Sequence, residues 1–295
     1  MKPPIQLQQE RDFGQKINVT FEFIIQNFKP LMLSLLYIAG PPALIGGFFM
    51  GAYQSNMLSL QQQILGSDDV DSSLSSIYSM GSSMLLLFIF LGAAGLAATL
   101  VVNAYLIEYE KGNRDITPEI MWNRVKEHIG KGVGFSIVMV AAVIVATMFF
   151  LLPGIYVGVT LSLMYMVMMR ENLGLEATFR RCFYLINDKW WSTFGLLMIM
   201  GIISGIIGYV FQIPTMIVTF SSILQIGDGI NTFWTTVGGV IGTVGSVLVR
   251  SLVLVAVGFQ YYNLVERRDG SGIMGAIEDI GKNDTPRIDR REEEF

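Results

Sequence analysis

One cysteine and one histidine in 295 residues close off several kinds of chemistry at once. Cys182 has no second thiol, so the chain holds no disulfide framework. A Ser-His-Asp arrangement or a zinc site of His and Glu ligands would have to use His128, and no partner stands at a suitable spacing from it. No catalytic, cofactor-binding or metal-ligating set is therefore read from the residues. Charge is scarce as well, at 15% against 52% hydrophobic residues. Carboxylates are missing from the long apolar runs, with Glu22 and Glu108 only at their edges. A proton- or sodium-coupled carrier ordinarily needs an ionisable or carbonyl-lined site near the membrane midplane, so this absence weighs against one. The most telling absence is that of lysine and arginine from alternate connections.

Apolar runs fall near 30–53, 84–107, 132–152, 155–169, 190–220 and 232–265. A helix needs about 20 apolar residues to cross a hydrocarbon core of ~30 Å, and five of the six runs have that length. The short one borrows Gly154 and the residues after Met169. Basic residues number four in 1–29, five in 108–131, four in 170–189 and six after 265; none occurs in 54–83, 153–154 or 221–231. Under the positive-inside rule this alternation describes six crossings of a bacterial inner membrane with both termini cytoplasmic. The cytoplasmic side then carries twenty acids against nineteen bases, which leaves nucleic acid no electrostatic basis for binding. Residues 54–83, rich in Ser, Gln and Asp, read as the largest outward loop, with Asp68, Asp69 and Asp71 as solvated acids.

What is present repeats three times. An amphipathic stretch ending in lysine precedes each odd-numbered span. Phe13, Ile17, Phe21, Ile24 and Phe28 lead to Lys29, and Met121, Trp122, Val125 and Ile129 lead to Lys131. Leu175, Phe179, Cys182, Phe183 and Ile186 lead to Lys189 and the pair Trp190-Trp191. Such stretches read as helices in the cytoplasmic interface, with Lys29, Lys131, Lys189, Trp190, Trp191, Tyr261 and Tyr262 as headgroup anchors. Thr117-Pro118-Glu119 supplies a cap, a first-turn proline and a dipole-favoured acid for the second stretch. The even spans leave the apolar core alike, through Glu108-Tyr109-Glu110-Lys111-Gly112, Arg170-Glu171-Asn172-Leu173-Gly174 and Glu266-Arg267-Arg268-Asp269-Gly270.

The expected fold is all-α: six transmembrane helices as three parallel hairpin repeats, each preceded by an interfacial helix. Residues 1–281 form the membrane domain, with spans near 30–53, 84–107, 132–152, 154–172, 190–212 and 240–264. Interfacial helices are expected near 13–29, 117–130 and 175–188. A further apolar repeat follows at Ile273, Ile277 and Ile280, and 282–295 reads as a disordered charged tail. Pro41-Pro42, Pro153-Gly154 and Pro214 read as kinks or turns. Pairs such as Gly47/Gly51 and Gly238/Gly242 suggest close helix packing.

Three segments carry a resemblance. Leu152-Pro153-Gly154-Ile155-Tyr156 stands at an outward turn, and Arg180-Arg181 stands in an amphipathic stretch before Asn187-Asp188-Lys189-Trp190. Tyr261-Tyr262-Asn263-Leu264-Val265-Glu266-Arg267 ends the last span. In layout, over 13–281, the chain resembles the membrane domain found fused to some bacterial glycerophosphoryl diester phosphodiesterases, which also occurs alone. That family usually has Asp where Asn263 stands. Its membrane domain has no assigned chemistry, and its hydrolytic barrel has no counterpart here. The resemblance therefore implies a membrane module and no activity.

Arg250 is the one charge within a span. Counted back from Tyr262 it lies about 18 Å inside the core, which leaves it roughly 12 Å from the outer surface, near the limit of snorkelling. It reads either as a structural arginine reaching outer headgroups, Asp228 or freed carbonyls near Pro214, or as a lipid-phosphate or substrate contact. The functional expectation is a non-enzymatic inner-membrane component whose partners are the lipid bilayer and membrane or cytoplasmic proteins. The alternative is a small-molecule or lipid carrier using Arg250.

Overall fold

Each helix begins and ends where the local chemistry dictates. Asp12 caps α1 (Phe13–Gln26): its carboxylate accepts the Gln15 backbone N–H at 2.7 Å, and the Gln15 side chain accepts the Asp12 N–H at 3.1 Å. After Asn27 comes α2 (Phe28–Ile38), then α3 (Gly40–Gly66), bent from it by 61°. Pro41 and Pro42 follow the bend and withhold the amide hydrogens that would tie α3 to the last turn of α2. α4 (Val70–Glu110) runs back, and Gly112 takes a left-handed φ of 84° that ends it. Thr117 caps α5 (Pro118–Phe149), with Pro118 in its first turn. α6 (Leu151–Leu161) and α7 (Met164–Glu171) follow, and Asn172 closes α7 in the left-handed region at φ 49°. α8 (Leu175–Ile186), α9 (Trp190–Ile223) and α10 (Thr232–Asp269) complete the order.

The computed structural model describes residues 3–66, 70–224 and 232–270. Asp68, Asp69, Asp228, the repeat at Ile273, Ile277 and Ile280, and the tail at 282–295 lie outside them. All elements of the described residues are helices. With α6 and α7 taken together as Leu151–Glu171, five helical stretches are long and apolar enough to cross a membrane, and a sixth is counted if α2 and the first part of α3 form one bent span.

Several boundaries differ from the expectation. The stretch at 54–83 is not a loop, since α3 reaches Gly66 and α4 starts at Val70. From Ala52 to Leu65 no glycine or proline interrupts a run with glutamine, leucine and methionine, all good helix formers, so the helix propagates past the apolar stretch. The separate interfacial helix expected at 117–130 is also absent. Gly130 and Gly132 weaken the helix but do not end it, and α5 runs unbroken into the apolar segment. The span expected at 154–172 has its counterpart in Leu151–Glu171, which is long and apolar enough to cross but is divided into α6 and α7. The Ser162 N–H and hydroxyl both turn back to the Val159 carbonyl, at 3.3 and 2.7 Å, and the helix tightens and breaks there.

α10 is the central element, packed against α3, α4 and α9. Glycines bring α3 and α10 to backbone contact: a Cβ built on Gly51 would lie 2.4 Å from Thr236 Cα, and one on Gly239 would lie 2.6 Å from the Gly47 carbonyl oxygen. The next glycines of α10 face α9 instead, Gly242 against Gln212 and Gly245 against Phe211. Closest packing is thus bought by small residues rather than by large apolar area. Below the glycines, Phe23 of α1 meets Tyr105, Tyr109 and Phe259 edge-on, with centroids 4.9–6.0 Å apart. The outer faces of α5 and α9 leave Ile137, Ile144, Met148, Ile202, Ile206 and Ile217 exposed, an apolar surface that suits lipid rather than water.

Candidate functional site

Sequence places the three charged exits far apart, and the fold gathers them at one end of the bundle. Arg170 at the end of α7 donates to both oxygens of Glu110 at the end of α4, Nη2 at 2.7 Å and Nε at 3.0 Å. Tyr262 donates its hydroxyl to Glu110 at 2.7 Å, and Gln8 donates to the same carboxylate. Arg170 also donates to the Tyr261 hydroxyl at 3.2 Å, and that hydroxyl donates to Glu171 at 2.7 Å. Glu171 accepts from Arg181 of α8 at 2.9 Å, and Arg181 reaches on to Asp269 at the end of α10. One continuous clasp, Glu110–Arg170–Tyr261–Glu171–Arg181–Asp269, therefore ties all three exits. For Arg181, burial alone would loosen its proton, but the Asp269 and Glu171 carboxylates reverse this and hold its pKa raised.

The amphipathic stretches are fastened to the same end. Arg124 in the first turns of α5 bonds Glu108 at 2.9 Å. Lys16 of α1 is 3% exposed. It donates to Gln260 at 2.8 Å and to Ser192 at 3.1 Å, while Gln260 donates to Thr193 at 2.8 Å. Burial, then the like charge of Lys189, lowers the pKa of this ammonium, and Asp12 opposes the shift. The segment before α1 lies across the end as a strap. The Ile5 N–H donates to the Tyr109 hydroxyl at 3.0 Å, Asn263 donates to the Arg11 carbonyl at 3.0 Å, and Leu7 is buried. Sequence reasoning missed this strap, because residues 3–12 show no periodicity.

The expected anchors divide. Lys29 is exposed, and Lys131 donates to Asn172 at 3.1 Å. Lys189 is half-buried beside Lys16, and Trp191 is 77% exposed. Tyr261 and Tyr262 are corrected outright: neither faces headgroups, because both rings are fully buried and their hydroxyls are spent inside the clasp. A second correction concerns Tyr156, expected at an outward turn. Its ring stacks on Trp190 at 5.6 Å, and the Trp190 indole N–H donates to its carbonyl at 3.2 Å. The start of α6 therefore lies beside the start of α9, with α8 alongside.

Arg250 falls at the middle of the 38-residue α10. Its side chain is exposed and has no hydrogen bond or ion pair among the described residues. Its Nη1 lies 3.9 Å from where a Cβ on Gly95 of α4 would stand, and its charge acts on the Tyr165 phenol of α7. Tyr165 shares a 2.7 Å hydrogen bond with Ser136 of α5. No group of three metal-ligating side chains occurs among the described residues. No family model, curated protein or solved structure matches this chain.

Proposed function

We propose that the chain is a non-enzymatic component of a bacterial inner membrane, built as three tilted hairpin units with both termini inside. It acts through its charged end on a protein partner in a larger membrane assembly. The apolar length of the helices and the exposed faces of α5 and α9 support the crossings. The repeat has support in how each amphipathic stretch docks on the exit of the unit before it. Arg124 bonds Glu108, Arg181 bonds Glu171, and Lys16 bonds Gln260 as α1 closes back on α10. The resemblance to a phosphodiesterase-associated membrane domain points the same way, since that domain is met beside a soluble module.

The clasp is the observation that carries the reading. It joins charges from all three exits and makes the charged end a fixed platform, while α8 keeps a polar outer row for another molecule. In that row Arg180 and Glu176 pair at 2.6 Å with side chains 80% exposed. An exposed pair of this kind adds little to stability, so altering it separates recognition from folding. Arg180→Glu should leave the melting temperature of the purified protein unchanged while removing a cytoplasmic protein that co-isolates stoichiometrically from native membranes. Failure of any protein to co-isolate, or its retention by the variant, would sink the reading.

A further inference from the structure

We infer that Arg250 anchors an intramembrane site for the phosphate group of a lipid. The inference is independent of the partner contact above and rests only on the chain lying in a bilayer. A guanidinium stays charged at every accessible pH. About 18 Å from the inner surface and roughly 12 Å from the outer surface of a ~30 Å core, counted from Tyr262, its reach of roughly 6–7 Å meets neither interface, so snorkelling does not satisfy it. Among the described residues nothing neutralises it, and 78–107, 132–169, 190–224 and 232–265 contain no carboxylate. The acids of the clasp are already bonded to Arg170 and Arg181. A charge this costly must find its counter-ion in a ligand.

The surroundings define that ligand. α4 and α9 both pack on α10 without a substantial interface of their own, which leaves a groove along α10 where Arg250 and Ser246 are exposed. Gly95 widens the groove beside the guanidinium, since only Arg250 comes within 4 Å of a Cβ built there. Phe88 and Leu91 stand two turns and one turn from Gly95 on the same face of α4 and are exposed, giving an apolar wall for an acyl chain. Ser136 donates its hydroxyl to the Gly132 carbonyl at 2.8 Å and Tyr165 donates to Ser136 at 2.7 Å, so this pair is satisfied within the protein and Arg250 supplies the donors. The forked guanidinium suits a pair of phosphate oxygens, and the wall suits the lipid tail. Tyr165 of α7 lies close enough to feel the charge of Arg250.

The test uses the full chain in nanodiscs of phosphatidylcholine doped with a minor fraction of phosphatidic acid, read by native mass spectrometry. Wild-type protein should retain phosphatidic acid at least tenfold above its bulk fraction. Arg250→Gln and Gly95→Leu should both return it to the bulk value, with Arg250→Lys intermediate. Leucine at 95 meets no backbone, so this variant folds and decides the matter if Arg250→Gln does not. Millimolar inorganic phosphate separates the two sources of the group. Undiminished retention identifies a lipid phosphate, whereas displacement identifies free phosphate as the ligand and overturns the lipid assignment. No enrichment in the wild type, or equal enrichment in Gly95→Leu, overturns the site itself.

Discussion

Arg170 and Glu110, sixty residues apart, meet through a forked pair of bonds at 2.7 and 3.0 Å, each side chain 19% exposed. Removing one partner of a largely buried pair strands the other charge, which costs 3–5 kcal/mol in a full interior. Partial exposure reduces this, so Glu110→Gln should cost about 2 kcal/mol, and Glu110→Leu with Arg170→Met should recover much of the loss. Thermal unfolding of the four species in one detergent checks it. If the double change proves as damaging as the sum of the two single ones, the pair is not coupled.

The Tyr262 hydroxyl is fully buried and bonds only the Glu110 carboxylate. Phenylalanine keeps the packing and loses a hydrogen bond to a charged acceptor, worth about 1.5–3 kcal/mol. Tyr262→Phe should therefore lower the melting temperature, and it should do so far less when Glu110 is already leucine. The same cycle contradicts the headgroup-anchor role expected of Tyr262, for an anchor would lose its effect in detergent whether or not Glu110 is present.

Much of the frame was legible in the sequence, because it follows from local chemistry. The apolar runs mark the helices, Thr117-Pro118-Glu119 marks the start of α5, and Pro41-Pro42 marks the bend between α2 and α3. The Gly47/Gly51 pair marks a close approach, though its partner, Gly239, could not be named. What was not legible is long-range. Three exits with alternating charges look like solvated ends until Glu110, Arg170 and Asp269 are brought together. Two tyrosines at a span exit look like an aromatic belt until both are turned inward. Tyr156 and Trp190 became neighbours only through the break at Ser162, which nothing in the composition of an apolar run announces.

Lys16 gives the protein a pH dependence of definite sign. Burial lowers its pKa in the folded state below the ordinary 10.5, so the unfolded chain holds the proton more tightly. Stability must then rise with pH as Lys16 loses its proton, and the gain is complete once pH passes the unfolded value. The charges facing this group are Lys189 and Arg267, which deepen the shift, and Asp12, which opposes it. Between pH 8 and 10.5 the melting temperature of the wild type minus that of Lys16→Met should increase with pH, since only the wild type gains as this ammonium loses its proton. Parallel curves would contradict the burial argument.

The α3–α10 contact depends on the absence of side chains. A Cβ at Gly51 overlaps the backbone of Thr235 and Thr236, the latter at 2.4 Å, and backbone cannot swing away as a side chain can. Gly51→Leu must therefore push the helices apart and should cost upward of 3 kcal/mol or abolish folding, beyond ordinary overpacking. Gly201 on the outer face of α9 has nothing within 4 Å of such an atom, and Gly201→Leu should be neutral or slightly stabilising through helix propensity. Yield and monodispersity of the two variants give the comparison, and equal behaviour would remove the glycine contact from the account.

Cys182 reports on whether α8 stays docked. Its thiol is fully buried among α8's inward residues, and burial, aided by the nearby Glu171 carboxylate, pushes its pKa up to about 12. Since the thiolate is the reactive species, neither access nor ionisation favours modification at neutral pH. A maleimide at pH 7 should leave the folded protein unlabelled and react at once in denaturant. Arg181→Gln frees the end of α8 from Glu171 and Asp269 while leaving residue 182 itself untouched, so labelling should then accelerate at least tenfold with the remaining helices still folded. Rapid labelling of the wild type would mean that α8 opens freely and that the clasp does not hold it.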